Sequence, residues 1–156
     1  MFINNRQFIK DLSINTSATS TPTYVAMCTA SEIGLNTELE SQDFYVFCDA
    51  IQRHLLTGLN VILNTTIKMD VENAGIMAVL DNVHTAITSG TVTQFNNVDI
   101  KFSVISGYSN GAYEYTEYTA NATMNVSDLG GAAEDVSEFN VEFQLNGTAT
   151  PAVVSG

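Results

Sequence analysis

The chain has 156 residues, of which 45% are hydrophobic, and 17 acidic against five basic residues give it a formal net charge of -12. This length is typical of one domain with a single core. The charge excludes tight nucleic-acid binding, which relies on Lys and Arg to neutralise phosphates. No apolar run approaches the about 20 residues of a membrane span, so we expect no membrane binding by this chain.

The first 22 residues predict an N-terminal arm. A stretch rich in Ser and Thr runs up to Pro22 and is typical of irregular structure. Arg6 and Lys10 are two of the five basic residues, so we expect the arm to dock on the acidic body of another copy, with Phe8 as an interface candidate. The first ten residues contain no apolar h-region, which predicts the absence of a secretory signal.

Strand patterns dominate the chain up to residue 69. Alternation of apolar and polar residues predicts a first strand over 24–30. The acidic stretch 31–43 predicts a loop, and 49–58 is compatible with either a strand extension or a short helical turn. The clearest strand of this half is 59–69, which alternates almost without exception.

A short run between these segments, Asp43–Cys48, is apolar on both faces. A strand of an ordinary antiparallel sandwich shows one face to water, and this run leaves no polar face to show. We therefore expect Phe44 and Phe47 to be covered by the helix or by another subunit, and both are subunit-interface candidates.

Residues 70–90 predict the one long helix of the chain. Asp70 is a plausible N-cap and Gly90 a plausible left-handed C-terminal residue. Ile76 and Val79 widen the apolar surface beyond what one side of a sheet needs, so we expect this pair to contact a neighbouring subunit while the main stripe contacts the sheet. That stripe has helical spacing and consists of Met77, Leu80, Val83, His84 and Ile87.

After the helix the pattern returns to strands. Residues 98–104 alternate, 106–111 carry a hairpin signal, and the partner strand covers about 112–126. The parity of the apolar residues changes within this partner strand, which predicts a β-bulge near Thr116–Glu117. Residues 138–145 show the strongest alternation in the chain.

These elements predict a mainly β protein, an antiparallel sandwich or open barrel with one flanking helix at about 70–90. We expect the arm at 1–22, one β-rich domain over 23–150 and a short tail at 151–156.

No catalytic, metal-binding or cofactor-binding constellation is visible. The histidines are His54 and His84, and neither has a nucleophile nearby in the sequence. The cysteines, Cys28 and Cys48, have apolar neighbours, so we expect buried reduced thiols. A disulfide between them is the alternative if their strands are adjacent. The interpretation is a protein that is not an enzyme and carries no metal or cofactor.

The order of these parts and the closing sequence AAEDVSEFNVEFQLNGTATPAV carry a resemblance. Over about residues 23–153 the chain resembles the major tail tube proteins of long-tailed bacteriophages, whose fold is shared by the tubes of contractile injection systems. The resemblance implies a β-sandwich or barrel flanked by a helix. It also implies rings of six subunits that stack into a tube, with DNA as non-specific transit cargo.

The resemblance further implies contacts with other tail proteins and a place in the virion tail after synthesis in the host cytoplasm. The loop at about 31–43 and the arm would contact the next ring, and the helix would lie on the outer side or between subunits. An acidic channel repels phosphate and lets DNA slide. The channel-lining candidates lie on polar faces of the strands after the helix: Glu114, Glu117, Glu138 and Glu142.

Two other interpretations remain open at this point. The chain is alternatively another self-assembling structural subunit, pilus-like or a decoration protein, which the polar arm also fits. It is alternatively a monomeric β-sandwich binding module, for example one that binds a receptor.

Overall fold

The computed structural model describes residues 2–17, 20–45 and 52–155, so Phe47 and Cys48 lie outside the described residues. Eight strands and two α-helices are described in this part of the chain, together with a 3-10 turn at Thr93–Phe95. In chain order they are α1 (Asn5–Phe8), β1 (Ile9–Asn15), β2 (Tyr24–Ala26), β3 (Ala30–Phe44), β4 (Arg53–Lys68), α2 (Ala74–Ser89), β5 (Val98–Ser109), β6 (Ala112–Ser127), β7 (Glu138–Leu145) and β8 (Thr150–Ser155).

The strands form one antiparallel sheet in the order β2-β1-β5-β6-β7-β4-β3, and β8 pairs with β6. β7 and β8 follow each other along the same side of β6, opposite β5. The sheet curls until β1 and β3 come into contact, and α2 packs against β1 and β2. The predicted fold class, mainly β with a flanking helix, is confirmed.

The core fills the inside of the curled sheet and is sealed at one side by α2. Its side chains come from alternate positions of each strand, as period-2 burial requires. The largest fully buried side chains belong to β1, β4, β5, β7 and α2: Ile14, Leu63, Ile67, Ile76, Val79, Ile100, Phe139, Val141 and Phe143.

Part of the N-terminal segment is a strand of the sheet, so the prediction of an arm outside the domain is wrong for that part. β1 pairs with β5, and Ile9, Leu12 and Ile14 are buried in the core of the same subunit. Alternation fails here because the register shifts between Lys10 and Ser13, where Asp11 has a positive φ of 57°. A bulge of this kind brings apolar residues of unlike parity to one face. The sequence of the strand therefore lacks the strict alternation that predicts a strand.

The long helix begins three residues later than predicted. The side chain of Asn73 accepts hydrogen bonds from the backbone N–H groups of Gly75 and Ile76 at 2.9 and 3.2 Å, so Asn73 and not Asp70 is the N-cap. Asp70 accepts a bond from the N–H of Glu72 in the preceding turn. The helix ends as predicted at Gly90, whose φ is 70°.

The orientation of α2 also differs from the prediction. Ile76 and Val79 are 0% and 1% exposed inside their own subunit, so the prediction that they contact a neighbouring subunit is wrong. Ile87, predicted to face the sheet, is 77% exposed. Gly75 lies on the buried flank and lets the helix approach β1 closely, which turns the flank of Ile76 and Val79 towards the core.

The acidic stretch predicted as a loop is a strand. β3 and β4 pair along their whole lengths, whereas β7 pairs only with residues 62–68 of β4. Residues 53–61 of β4 and their partners in β3 therefore extend beyond the sheet as a two-stranded ribbon, which we call the β3–β4 ribbon. Residues 31–43 escaped prediction as a strand because Glu, Asn and Ser are poor strand formers.

The bulge predicted at Thr116–Glu117 is wrong, and a bulge lies in the neighbouring strand instead. Ile105 pairs with Tyr115 and Gly107 pairs with Glu114, so the extra residue is Ser106 of β5. β6 itself runs without interruption through Thr116–Glu117. The parity of the apolar residues changes because Tyr115 is buried on the face of β6 opposite Ala120 and Ala122.

Candidate functional site

Four neighbouring strands, β6, β7, β4 and β3, carry a surface on the side away from the core that is polar except at Ile62 of β4. We call it the polar face. A cavity of about 500 Å³ opens on it, lined by Glu32, Asn64, Asn125, Asn140 and Glu142 among others. Along each strand, residues whose carboxylate, amide or hydroxyl groups lie on this face alternate with residues that project into the core. Its further members along the four strands are Asn36, Glu38, Glu40, Asn60, Thr66, Lys68, Glu117, Thr119, Thr123, Ser127, Glu138 and Gln144.

Three of the four predicted channel residues lie on the polar face. Glu142 pairs with Asn125, and Glu117 and Glu138 lie on the same side of the sheet. Glu114 is an odd number of residues from Glu117 along an uninterrupted strand, so it projects to the opposite side, beside Gly107. Glu114 therefore lies apart from the other three channel-lining candidates.

The charges on this surface are unevenly paired. Lys68 Nζ lies 3.3 Å from Glu138 Oε2, and Lys101 Nζ lies 3.9 Å from Glu117 Oε1. Within the described residues, Glu142 and Glu32 form no ion pair. Glu32 and Glu142 are therefore unpaired carboxylates. Glu32 was not among the predicted channel residues because its strand was predicted as a loop.

The lysines of the described part of the chain are all engaged. Lys10 lies 4.0 Å from the ring centre of Tyr115 and 3.8 Å from an oxygen of Asp11. Lys101 also lies 4.3 Å from the ring centre of Tyr24. Burial, and secondarily the negative charge of Asp99, raises the pKa of Tyr24 above its ordinary value of 10.

Amide side chains tie β1, β5 and β6 together beside this surface, and Asn15 of β1 donates from Nδ2 to Asp99 Oδ2 at 3.5 Å. Asn121 Nδ2 donates to Asp99 Oδ1 at 3.0 Å and also contacts Asn97 Oδ1. Asn146 Nδ2 donates to Asn121 Oδ1 at 2.7 Å. Because Asp99 and Asn121 are engaged with other side chains, this cluster is structural support rather than an open binding site.

The β3–β4 ribbon is amphipathic. Leu39 and Leu59 pair directly and are 61% and 57% exposed, whereas Glu40 lies on the opposite face and accepts a hydrogen bond from Asn60 Nδ2 at 3.1 Å. A two-stranded ribbon alone in water is marginally stable, and a contiguous apolar patch on one marks an interaction surface. One side of the ribbon thus continues the polar face, and its other side is apolar and uncovered.

Two other predicted interface residues, Phe8 and Phe44, are partly exposed. Phe8 and Phe44 are 41% and 38% exposed, so both have surface left for a partner. Cys28 is exposed, which corrects the prediction of a buried thiol.

The described residues contain no group of three or more His, Cys, Asp or Glu side chains placed to hold a metal ion. His54 contacts Asp43 through Nδ1 on the ribbon, and His84 is exposed on α2. No helix in the described part of the chain is long and apolar enough to cross a membrane.

Solved structures share this architecture. The tail of an empty gene transfer agent (GTA) particle with C6 symmetry superimposes with a TM-score of 0.57 at 10% identity, over 97% of this chain and 99% of that chain. The SPP1 tail tube gives 0.57 at 13% identity, over 96% and 78%. The chain has the tail-tube fold.

The same tail-tube fold occurs in the sheath-tube complex of an extracellular contractile injection system (PVC) in its extended state. The TM-score is 0.53 at 9% identity, over 99% of this chain and 92% of that chain. No protein-family model matches the sequence, and no curated protein matches it. At these identities the similarity resides in the fold, so the function is argued from the surfaces described above.

Proposed function

We propose that this chain is the structural subunit of a virion tail tube, which assembles into rings of six that stack around an acidic channel. The observation that carries the proposal is the polar face, a continuous surface of four antiparallel strands on a tail-tube fold. The number six follows the C6 symmetry of the GTA tail. The subunit is made in the host cytoplasm and resides in the virion tail.

The polar face supplies the channel wall. Glu32 and Glu142 contribute unpaired negative charge, and the described lysines on or beside this face are paired with carboxylates. Phosphates of passing DNA meet repulsion, and the lysines are already engaged with carboxylates, so the genome slides as non-specific cargo. This repulsion acts over a Debye length of about 8 Å at physiological ionic strength, which keeps it effective close to the wall.

The β3–β4 ribbon supplies the contact with the next ring. Its apolar side, with Leu39 and Leu59, is uncovered within one subunit and requires a partner surface. Stacked identical rings meet head to tail, which is a heterologous contact that extends without limit. Phe8 and Phe44 contribute to contacts between copies, and other tail proteins end the tube.

Electron microscopy of the purified protein tests the proposal. We expect hollow rings or tubes with sixfold symmetry once a tail initiator is present or the concentration is high. A protein that stays monomeric under both conditions contradicts the proposal. Solid filaments without a channel would instead support a pilus-like subunit.

A further inference from the structure

The dipeptide Asn-Gly occurs twice in this chain, at Asn110–Gly111 and at Asn146–Gly147. In such a pair the backbone nitrogen of the glycine can attack the side-chain carbon Cγ of the asparagine, because glycine has no side chain to obstruct the approach. The reaction requires that both the amide side chain and the backbone around it are free to move. The fold gives the two sites very different freedom.

The first pair forms the turn between β5 and β6. Asn110 and Gly111 have positive φ values of 53° and 77°, and Ser109 and Ala112 on either side of them pair with each other. These values fit the two-residue type I′ turn, for which Asn-Gly is a favoured sequence. Both turn residues are exposed, and the Asn110 side chain has no hydrogen-bond partner among the described residues.

The strands that carry this turn extend beyond their neighbours in the sheet. β1 pairs with β5 only as far as Val104, and β8 pairs with β6 only from Glu114 onwards. In the described part of the chain, residues 108–113 therefore pair only with one another. A two-stranded hairpin is marginally stable in water, so this end of the hairpin opens locally while the rest of the sheet stays folded.

The second pair is held in place through the asparagine side chain. Asn146 Nδ2 donates to the backbone oxygen of Asn96 at 3.0 Å and to Asn121 Oδ1 at 2.7 Å. Asn146 Oδ1 accepts a hydrogen bond from Thr123 Oγ1 at 2.8 Å, and the backbone N–H of Asn146 donates to the carbonyl of Asn121 at 2.9 Å. Attack on Cγ requires the side-chain bonds to break first, so the fold protects this site.

We propose that Asn110 is a site of spontaneous deamidation in the folded protein and that Asn146 is protected from the same reaction. The Gly111 nitrogen bonds to Asn110 Cγ, and the bond from Cγ to the side-chain nitrogen breaks. The Gly111 proton leaves with that nitrogen as ammonia, and a succinimide ring remains. Water, the co-reactant, then opens the ring at either carbonyl carbon and gives aspartate or isoaspartate.

The reaction changes the end of the hairpin. Both products add a negative charge at the turn, and isoaspartate also lengthens the main chain by its Cβ atom. Because hairpin register depends on loop length, the longer turn disrupts the pairing of Ser109 with Ala112. The rings of Tyr108 and Tyr113, whose centres lie 5.3 Å apart, then separate. The chemistry does not depend on the proposed function, which adds only that subunits of a released virion are not replaced, so converted turns accumulate.

Peptide mapping of the aged protein tests the proposal. The folded protein is incubated at mildly alkaline pH, and mass spectrometry measures the mass gain that accompanies replacement of the amide NH₂ by OH. Chymotrypsin, which cleaves after Tyr108 and Tyr113, isolates the Asn110 site, and cleavage after Glu142 isolates the Asn146 site. We expect Asn110 to convert at least about tenfold faster than Asn146, because only Asn146 must first break hydrogen bonds.

Two controls accompany the measurement. Asn110→Gly keeps a turn sequence that allows positive φ and removes the amide, so its peptide sets the background. Protein unfolded in guanidinium chloride should convert both sites at similar rates, because the hydrogen bonds of Asn146 are then absent. The inference is overturned if Asn110 stays intact in the folded protein while the unfolded protein converts it. It is also overturned if both sites convert equally in the folded protein, or if their rates differ as much after unfolding.

Discussion

Gly75 of α2 lies directly against Ile14 of β1. A Cβ atom built on Gly75 would lie 3.0 Å from Ile14 Cγ2 and 3.3 Å from the carbonyl oxygen of Val25. This close approach sets how deeply α2 sits on the sheet.

Replacing Gly75 with Ala should therefore destabilise the subunit. The higher helix propensity of Ala contributes about 1 kcal/mol, but forcing a methyl group into a packed site costs about 1–3 kcal/mol. Gly75→Val should cost more, because its larger side chain meets backbone atoms. Urea unfolding measures the effect, and Gly147→Ala, at a site with nothing within 4 Å, is the control expected to stay near the parent. A stabilised Gly75→Ala variant would contradict the packing argument.

Asn73→Ala should destabilise the subunit more than Asp70→Ala. Asn73 caps two N–H groups of α2, and its Nδ2 donates to the carbonyl of Ala26 at 2.8 Å. Loss of an N-cap costs about 1 kcal/mol, and the second bond adds to it. Asp70 accepts one bond from the exposed turn before the helix. Thermal unfolding below the assembly concentration measures the two losses of stability. Equal losses would contradict the assignment of Asn73 as the N-cap.

Reversing the unpaired charges on the polar face should impair DNA delivery without preventing assembly. We expect particles carrying Glu32→Lys and Glu142→Lys to have normal tubes but a lower ratio of infectious to total particles, because Lys binds passing phosphates. Glu114→Lys makes the same change on the other side of β6 and should remain infectious. An equal loss of infectivity from both sets of changes would contradict the proposal that the polar face lines the channel.

Polar substitutions on the β3–β4 ribbon should separate ring formation from ring stacking. Leu39→Ser with Leu59→Ser removes one directly paired set of leucines from the apolar surface of the ribbon, and both residues are more than half exposed, so the subunit should still fold. We expect rings without tubes in electron micrographs. Val153→Ser, at a position 84% exposed on β8, is the matched control and should form tubes. Normal tubes from the double variant would assign stacking to other surfaces.

The fold class followed from the sequence because most of its strands alternate strictly. Phe139, Val141 and Phe143 repeat every second residue, and this spacing places all three in the core whatever surrounds them. The end of α2 at Gly90 was equally readable, because a left-handed C-terminal residue is a local requirement. β1 and β3 escaped prediction because a bulge breaks the alternation of one and an acidic composition disguises the other.

The sequence by itself determined the alternation of the strands, the position of the long helix and the excess of negative charge, all of which depend on residues near one another in the chain. Only the tertiary structure decided which flank of α2 is buried, because that depends on the fit of Gly75 against Ile14 across the fold. It also decided that Glu142 and Glu32 share one face while Glu114 does not. Strand pairing and register set that division, and both arise from contacts between residues distant in sequence.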